Sequence, residues 1–276
     1  MTGPIEFTEQ DIAFLVSETD RHLLASIDII KTDATFVDSI LESRAPEIVR
    51  RAMSMDQASL LSSITPRFLF EAMLRAARKD LAARSYTIER GPLQRIPVFD
   101  TGEVVRFLRD DAVVKYLARM LTSFTKIRSF SLPVRVRKGL WRRIRFNDMD
   151  IDSLMRYCDG IDEEQRFDYY KRIADLCLFI VGIFPEFAGP DVNFGRSMTR
   201  PLIFGRRLRS SEDYENEGRR FYKLASRHQS AKIDGSSRIL ETIGDGFNLA
   251  KKPLNYASER YLDFRKGTFF ASSSSN

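Results

Sequence analysis

The chain has 276 residues, 43% of them hydrophobic and 30% charged, so it can bury a sizeable core and lacks the makeup of a disordered polymer. Its two cysteines, Cys158 and Cys177, exclude a disulfide scaffold, and its two histidines, His22 and His228, leave little for imidazole or metal chemistry. The net charge of +6 is unevenly spread: residues 1–64 carry five basic and eleven acidic groups, 112–147 ten basic and no acidic ones, and 148–191 four and eleven.

Acids near the N-terminus replace the basic start and apolar run of a signal peptide. The longest apolar stretch, Leu176 to Pro185, is ten residues, about half of what a bilayer span requires. A reducing cytoplasm is the expected compartment.

In chain order, Thr8 caps a first helix and Ile12, Leu15 and Val16 continue it at helical spacing. Pro46 suits the first turn of a separate helix through Ile48, Val49 and Met53. Thr65-Pro66 opens a long helix over 66–84, with Phe70, Met73, Leu74, Ala77 and Leu81 facing inward. A hairpin is expected around Gly91-Pro92, with Pro97 confining its second strand to an edge. Asp100-Thr101-Gly102-Glu103 reads as a capping box, and Asp110-Asp111 restart a helix over 112–126.

A second hairpin follows. A three-residue turn at Arg137-Lys138-Gly139 would put Val136 opposite Leu140, Val134 opposite Arg142 and Arg135 opposite Trp141. Its outer face then carries cations and the single tryptophan. Acids at 150–152 open another helix, and a capping box at Asp162 opens one over 163–184, apolar all round in its last turns. Residues 186–210 read as a loop, with helices at 211–228, 237–250 and 254–266.

The expected fold is mainly α, a multi-helix globular protein with one or two small antiparallel hairpins. Four segments are expected: an acidic helical stretch (1–64), a helix and hairpin unit (65–147), a C-terminal helical stretch (148–266) and a flexible tail (267–276).

Several motifs fail on chemistry. The carboxylates of Asp148, Asp150, Asp152 and Asp159 imitate a calcium loop, but Ser153 stands where the turn needs glycine. Asp100-Thr101-Gly102 occurs once, whereas aspartic proteolysis needs two such aspartates. Ser123-Phe124-Thr125-Lys126 lacks the companion motifs of penicillin-binding enzymes. Phosphate-loop, dinucleotide and zinc-protease patterns are absent. Binding without catalysis is expected, with no cofactor and no metal.

The order helix, hairpin, short helix, helix, basic hairpin over 65–147 resembles a winged helix-turn-helix, which implies nucleic-acid contact by the second helix and the wing. The residues assigned to that role are Lys115, Arg119 and Lys126 on the helix and Arg135, Arg137, Lys138, Trp141, Arg143 and Arg145 on the hairpin. An acidic partner, nucleic acid first, is therefore expected. The alternatives are an anionic small molecule held by Arg196, Arg200, Arg206, Arg207 and Arg209, or a scaffold that pairs with another protein or with itself.

Overall fold

Turn residues set where most of the helices begin. The computed structural model describes residues 7–17, 19, 27–90, 95–126, 129–137, 140–188 and 209–270, with the backbone alone at 89, 90, 95, 129–137, 140–147 and 264. Helix α1 (Glu9–Ser17) opens on a reciprocal box: the Asp11 amide donates to Thr8 Oγ1 at 3.2 Å, and the Thr8 amide donates to Asp11 Oδ2 at 2.9 Å. The short α2 (Ile27–Ile30) leads to α3 (Ala34–Ser54), capped by Asp33. α4 (Gln57–Ser63) is capped by Asp56, and α5 (Pro66–Ala82) by Thr65 with proline in its first turn.

One expectation about this stretch is corrected. Pro46 lies inside α3, which runs unbroken through it. The proline forfeits the hydrogen bond to Glu42, yet buried Leu41, Ala45, Ile48 and Val49 on both sides keep one helix packed against α5.

Strands β1 (Thr87–Arg90) and β2 (Arg95–Val98) pair antiparallel, and then α6 (Thr101–Phe107) and α7 (Asp111–Ser123) pack on α5. Asp100 precedes α6 without capping it. Its Oδ1 accepts from Thr87 Oγ1 at 2.6 Å and its Oδ2 accepts from Lys252, which draws the carboxylate away from the helix amides.

The hairpin of β3 (Ser129–Arg137) and β4 (Leu140–Asn147) keeps Val134 opposite Arg142 and Arg135 opposite Trp141. Arg137, rather than Val136, stands opposite Leu140, because a bulge between Arg135 and Arg137 absorbs one residue. α8 (Ile151–Asp159) is capped by Asp150 and packs on α9 (Phe167–Ile183). The box expected at Asp162 forms only a 3₁₀ turn at Glu163–Gln165, so α9 starts later, at Phe167. Every residue of α9 from Ile173 to Ile183 is buried, Asp175 included, and from Leu176 onward the helix is apolar all round.

α10 (Ser211–Arg227) opens on a complete Ser210/Asp213 box. α11 (Gln229–Ile233) is capped by His228, which accepts from the Ser230 amide. α12 (Ser237–Asp245) and α13 (Phe247–Ala257) follow, then a π turn at Ser258–Leu262 and α14 (Lys266–Phe269). α14 occupies the start of the stretch read as a tail, and Phe269 and Phe270 are buried.

The protein is mainly α-helical, with two two-stranded antiparallel sheets among the described residues. None of the described helices is long and apolar enough to cross a membrane. The chain divides into two units: 1–91, 95–125 and 252–269 form the first, and 92–94, 126–251 and 270–276 the second.

Candidate functional site

The basic line expected on α7 is partly spent inside the first unit. Lys115 donates to Asp38 Oδ2 at 2.8 Å, and its backbone carbonyl accepts from Arg67 at 2.9 Å. Arg119 lies on the same helix and Lys126 is exposed, beyond the point where the chain enters the second unit. The winged-helix order of elements is present along the chain, but the unit boundary after Thr125 separates β3–β4 from α5, α6 and α7.

Beneath that line sits a charged cluster. Arg75, 2% exposed, donates to Glu71 at 2.9 Å, Glu42 at 3.1 Å, Asp111 at 3.2 Å and Asp38 at 3.4 Å. Burial opposes its charge, but the carboxylates, Glu71 foremost, outweigh burial and hold the guanidinium above its ordinary range. Burial alone would raise Glu42, yet Arg78 and Arg75 together hold its carboxyl below the usual value. This cluster joins α3, α5 and α7.

On β3–β4 the register puts Arg135 opposite Trp141, Pro133 opposite Arg143 and Ser131 opposite Arg145. Strand alternation therefore assigns Arg135, Trp141, Arg143 and Arg145 to one face of the ribbon. The bulge moves Arg137 to the register of Leu140, on the other face. Lys138 lies outside the described residues.

Arg196, Arg200, Arg206 and Arg207 also lie outside the described residues, while Arg209 donates to Asp152 at 2.5 Å. Burial works against that guanidinium and the bond to Asp152 overrides it, so Arg209 is held above its ordinary range. The calcium-like acids are similarly engaged: Asp148 accepts from Arg172 at 2.8 Å and Asp150 caps α8. Among the described residues no group of three or more His, Cys, Asp or Glu is placed to hold a metal ion. Both cysteines are buried, and burial pushes the Cys158 thiol up to about 11 and raises that of Cys177 as well.

Two concave sites emerge that sequence spacing did not identify. In the second unit, a groove of about 320 Å³ between α10 and α12 is lined by Arg219, Arg220, Lys223 and Arg227 facing Glu241 and Asp245. Arg219, Lys223 and Arg227 recur at i, i+4 and i+8, a stripe the sequence does carry. Arg219 donates to the carbonyls of Gly244 and Asp245, so it caps the end of α12.

In the first unit, a cleft of about 220 Å³ is lined by Leu81, Arg84 and Tyr86 on one side and Lys252, Tyr256 and Arg260 on another. Arg84 lies 4.9 Å above the centre of the Tyr256 ring. Behind it, Tyr256 and Tyr261 donate to Asp80 Oδ2 at 2.9 and 2.8 Å. Burial, then those bonds, raises both phenols above their usual range. The lining residues come from widely separated segments, and no local spacing links them. No protein-family model, no curated protein and no solved structure matches the chain.

Proposed function

We propose that the protein is a non-catalytic binding protein whose β3–β4 ribbon engages nucleic acid through its phosphates. What carries the reading is the register of that ribbon, which sets Arg135, Trp141, Arg143 and Arg145 on one face of a segment holding no carboxylate from Ala112 to Asn147. A two-stranded ribbon fits the major groove, and a cationic one gains affinity by releasing condensed counterions. Trp141 adds a stacking surface for an unpaired base. Lys115 is omitted from this reading because Asp38 already neutralises it.

The test is fluorescence anisotropy of labelled single-stranded and duplex oligonucleotides across a salt series. Binding should weaken steeply as salt rises. Replacing Arg135, Arg143 and Arg145 together by Gln should flatten the log–log slope by about 2 to 3. No binding at low salt, or an unchanged slope in the triple variant, would refute it. A loss confined to single strands in Trp141→Ala would assign Trp141 to stacking.

A further inference from the structure

The first-unit cleft has a surplus of hydrogen-bond donors. Two acids bonded to its lining residues from outside the cleft are already engaged: Asp80 accepts from two tyrosines, and Asp100 from Thr87 and Lys252. Glu259 is the acid of the lining, and it has a partner of its own. Arg84 and Arg260 form no ion pair among the described residues, and the Arg84 guanidinium lies over the Tyr256 ring face. Each guanidinium offers five N–H donors in a planar fork that matches an oxyanion.

The cleft continues into an apolar groove. Tyr86 and Ile88 line it and also line an adjoining hollow of about 580 Å³ with Ser85, Pro97 and Phe99. Tyr86 is 45% exposed, Ile88 40% and Phe99 79%, and Tyr86 and Phe99 meet edge to face at 6.1 Å. Exposed apolar groups gathered beside unpaired guanidinium forks make a surface of two chemistries, one for an anion and one for hydrocarbon.

We infer that this cleft binds a small monoanionic amphiphile, its carboxylate held by Arg84 and Arg260 and its apolar part lying over Tyr86 and Ile88 toward Pro97 and Phe99. The site lies in the first unit and is independent of the nucleic-acid reading of β3–β4. Lys252 is the fixed member of the cleft: it is buried and committed to Asp100, so it shapes the floor while the two exposed arginines meet the ligand. Lengthening the apolar part should strengthen binding by about fourfold for each methylene that becomes buried.

The test is calorimetric titration of the full chain with octanoate, butyrate and octanamide. Octanoate should bind saturably with a Kd at or below about 1 mM, and butyrate and octanamide at least about tenfold more weakly. The double variant Arg84→Gln/Arg260→Gln should melt at the wild-type temperature, because both side chains are exposed, and should lose about tenfold in octanoate affinity. No saturable octanoate binding at about 10 mM, equal binding of octanamide, or full affinity in the double variant would each overturn the site. Equal affinity for butyrate and octanoate would overturn the placement of the apolar part.

Discussion

Arg75 shows how a single side chain organises its surroundings. Its guanidinium and the carboxylate of Glu71, 0% exposed, lie one helical turn apart on α5. Two charges removed from water are stable only while each has its partner. Arg75→Met should therefore cost about 3 to 5 kcal/mol, read as a lower urea midpoint by circular dichroism. Arg75→Met/Glu71→Leu should recover only part of the loss, since buried Arg67, 3.1 Å from Glu71, then loses its carboxylate partner. The same scale explains what could be read in advance. Thr65, Asp110 and Asp150 cap amides within three residues of themselves, so their roles are visible in a short window. Asp11 is different: as well as closing the box with Thr8, it accepts from the Thr65 amide at 2.7 Å and from its hydroxyl at 2.9 Å, and thereby joins the starts of α1 and α5. Asp100 likewise spends its carboxylate on Lys252, a partner 152 positions away, which no local pattern can announce.

At the scale of elements, α10 is the axis of the second unit, packed on α9 and α12. Its Tyr222 hydroxyl donates to the buried Asp175 of α9 at 2.7 Å, where Lys171 also reaches the carboxylate at 2.6 Å. Close approach depends on missing side chains. A Cβ at Gly218 would stand 2.3 Å from the Phe247 ring and 3.1 Å from Cys177 Cβ, so helices α9 and α13 press directly on α10 there. Gly218→Ala should therefore lower stability by about 1 to 3 kcal/mol in urea melts, despite alanine's better helix propensity. Gly102→Ala on α6, where nothing lies within 4 Å, should be neutral or slightly stabilising and serves as its control. Periodicity found α5, α7 and α9 because each buries a continuous stripe or a whole circumference. It misplaced a break at Pro46, because the packing of α3 on α5 outweighs the loss of one hydrogen bond. It missed the cleft of Arg84 and Arg260, since a site assembled from distant segments has no period.

On the scale of the whole molecule, charge segments and structural units follow different lines. The 1–64 stretch is acidic by composition, and its helix α3 supplies Asp38 and Glu42 to the cluster around Arg75. The first unit is also discontinuous. It takes residues 252–269 from the far end of the sequence, contributing buried Lys252, Leu254, Ala257, Leu262 and Phe269, the last of which meets Phe70 at 5.8 Å. A fragment of residues 1–125 should thus unfold at a lower urea concentration than the same fragment carrying 252–269 on a flexible linker, measured by circular dichroism. Equal midpoints would show that the returning segment contributes nothing. The passage between units falls within α13, whose residues through Lys251 belong to the second and from Lys252 to the first. On the ribosome the first unit therefore waits, with part of its interior unfilled, until the returning helix has emerged, by which point residues 126–251 have already been made.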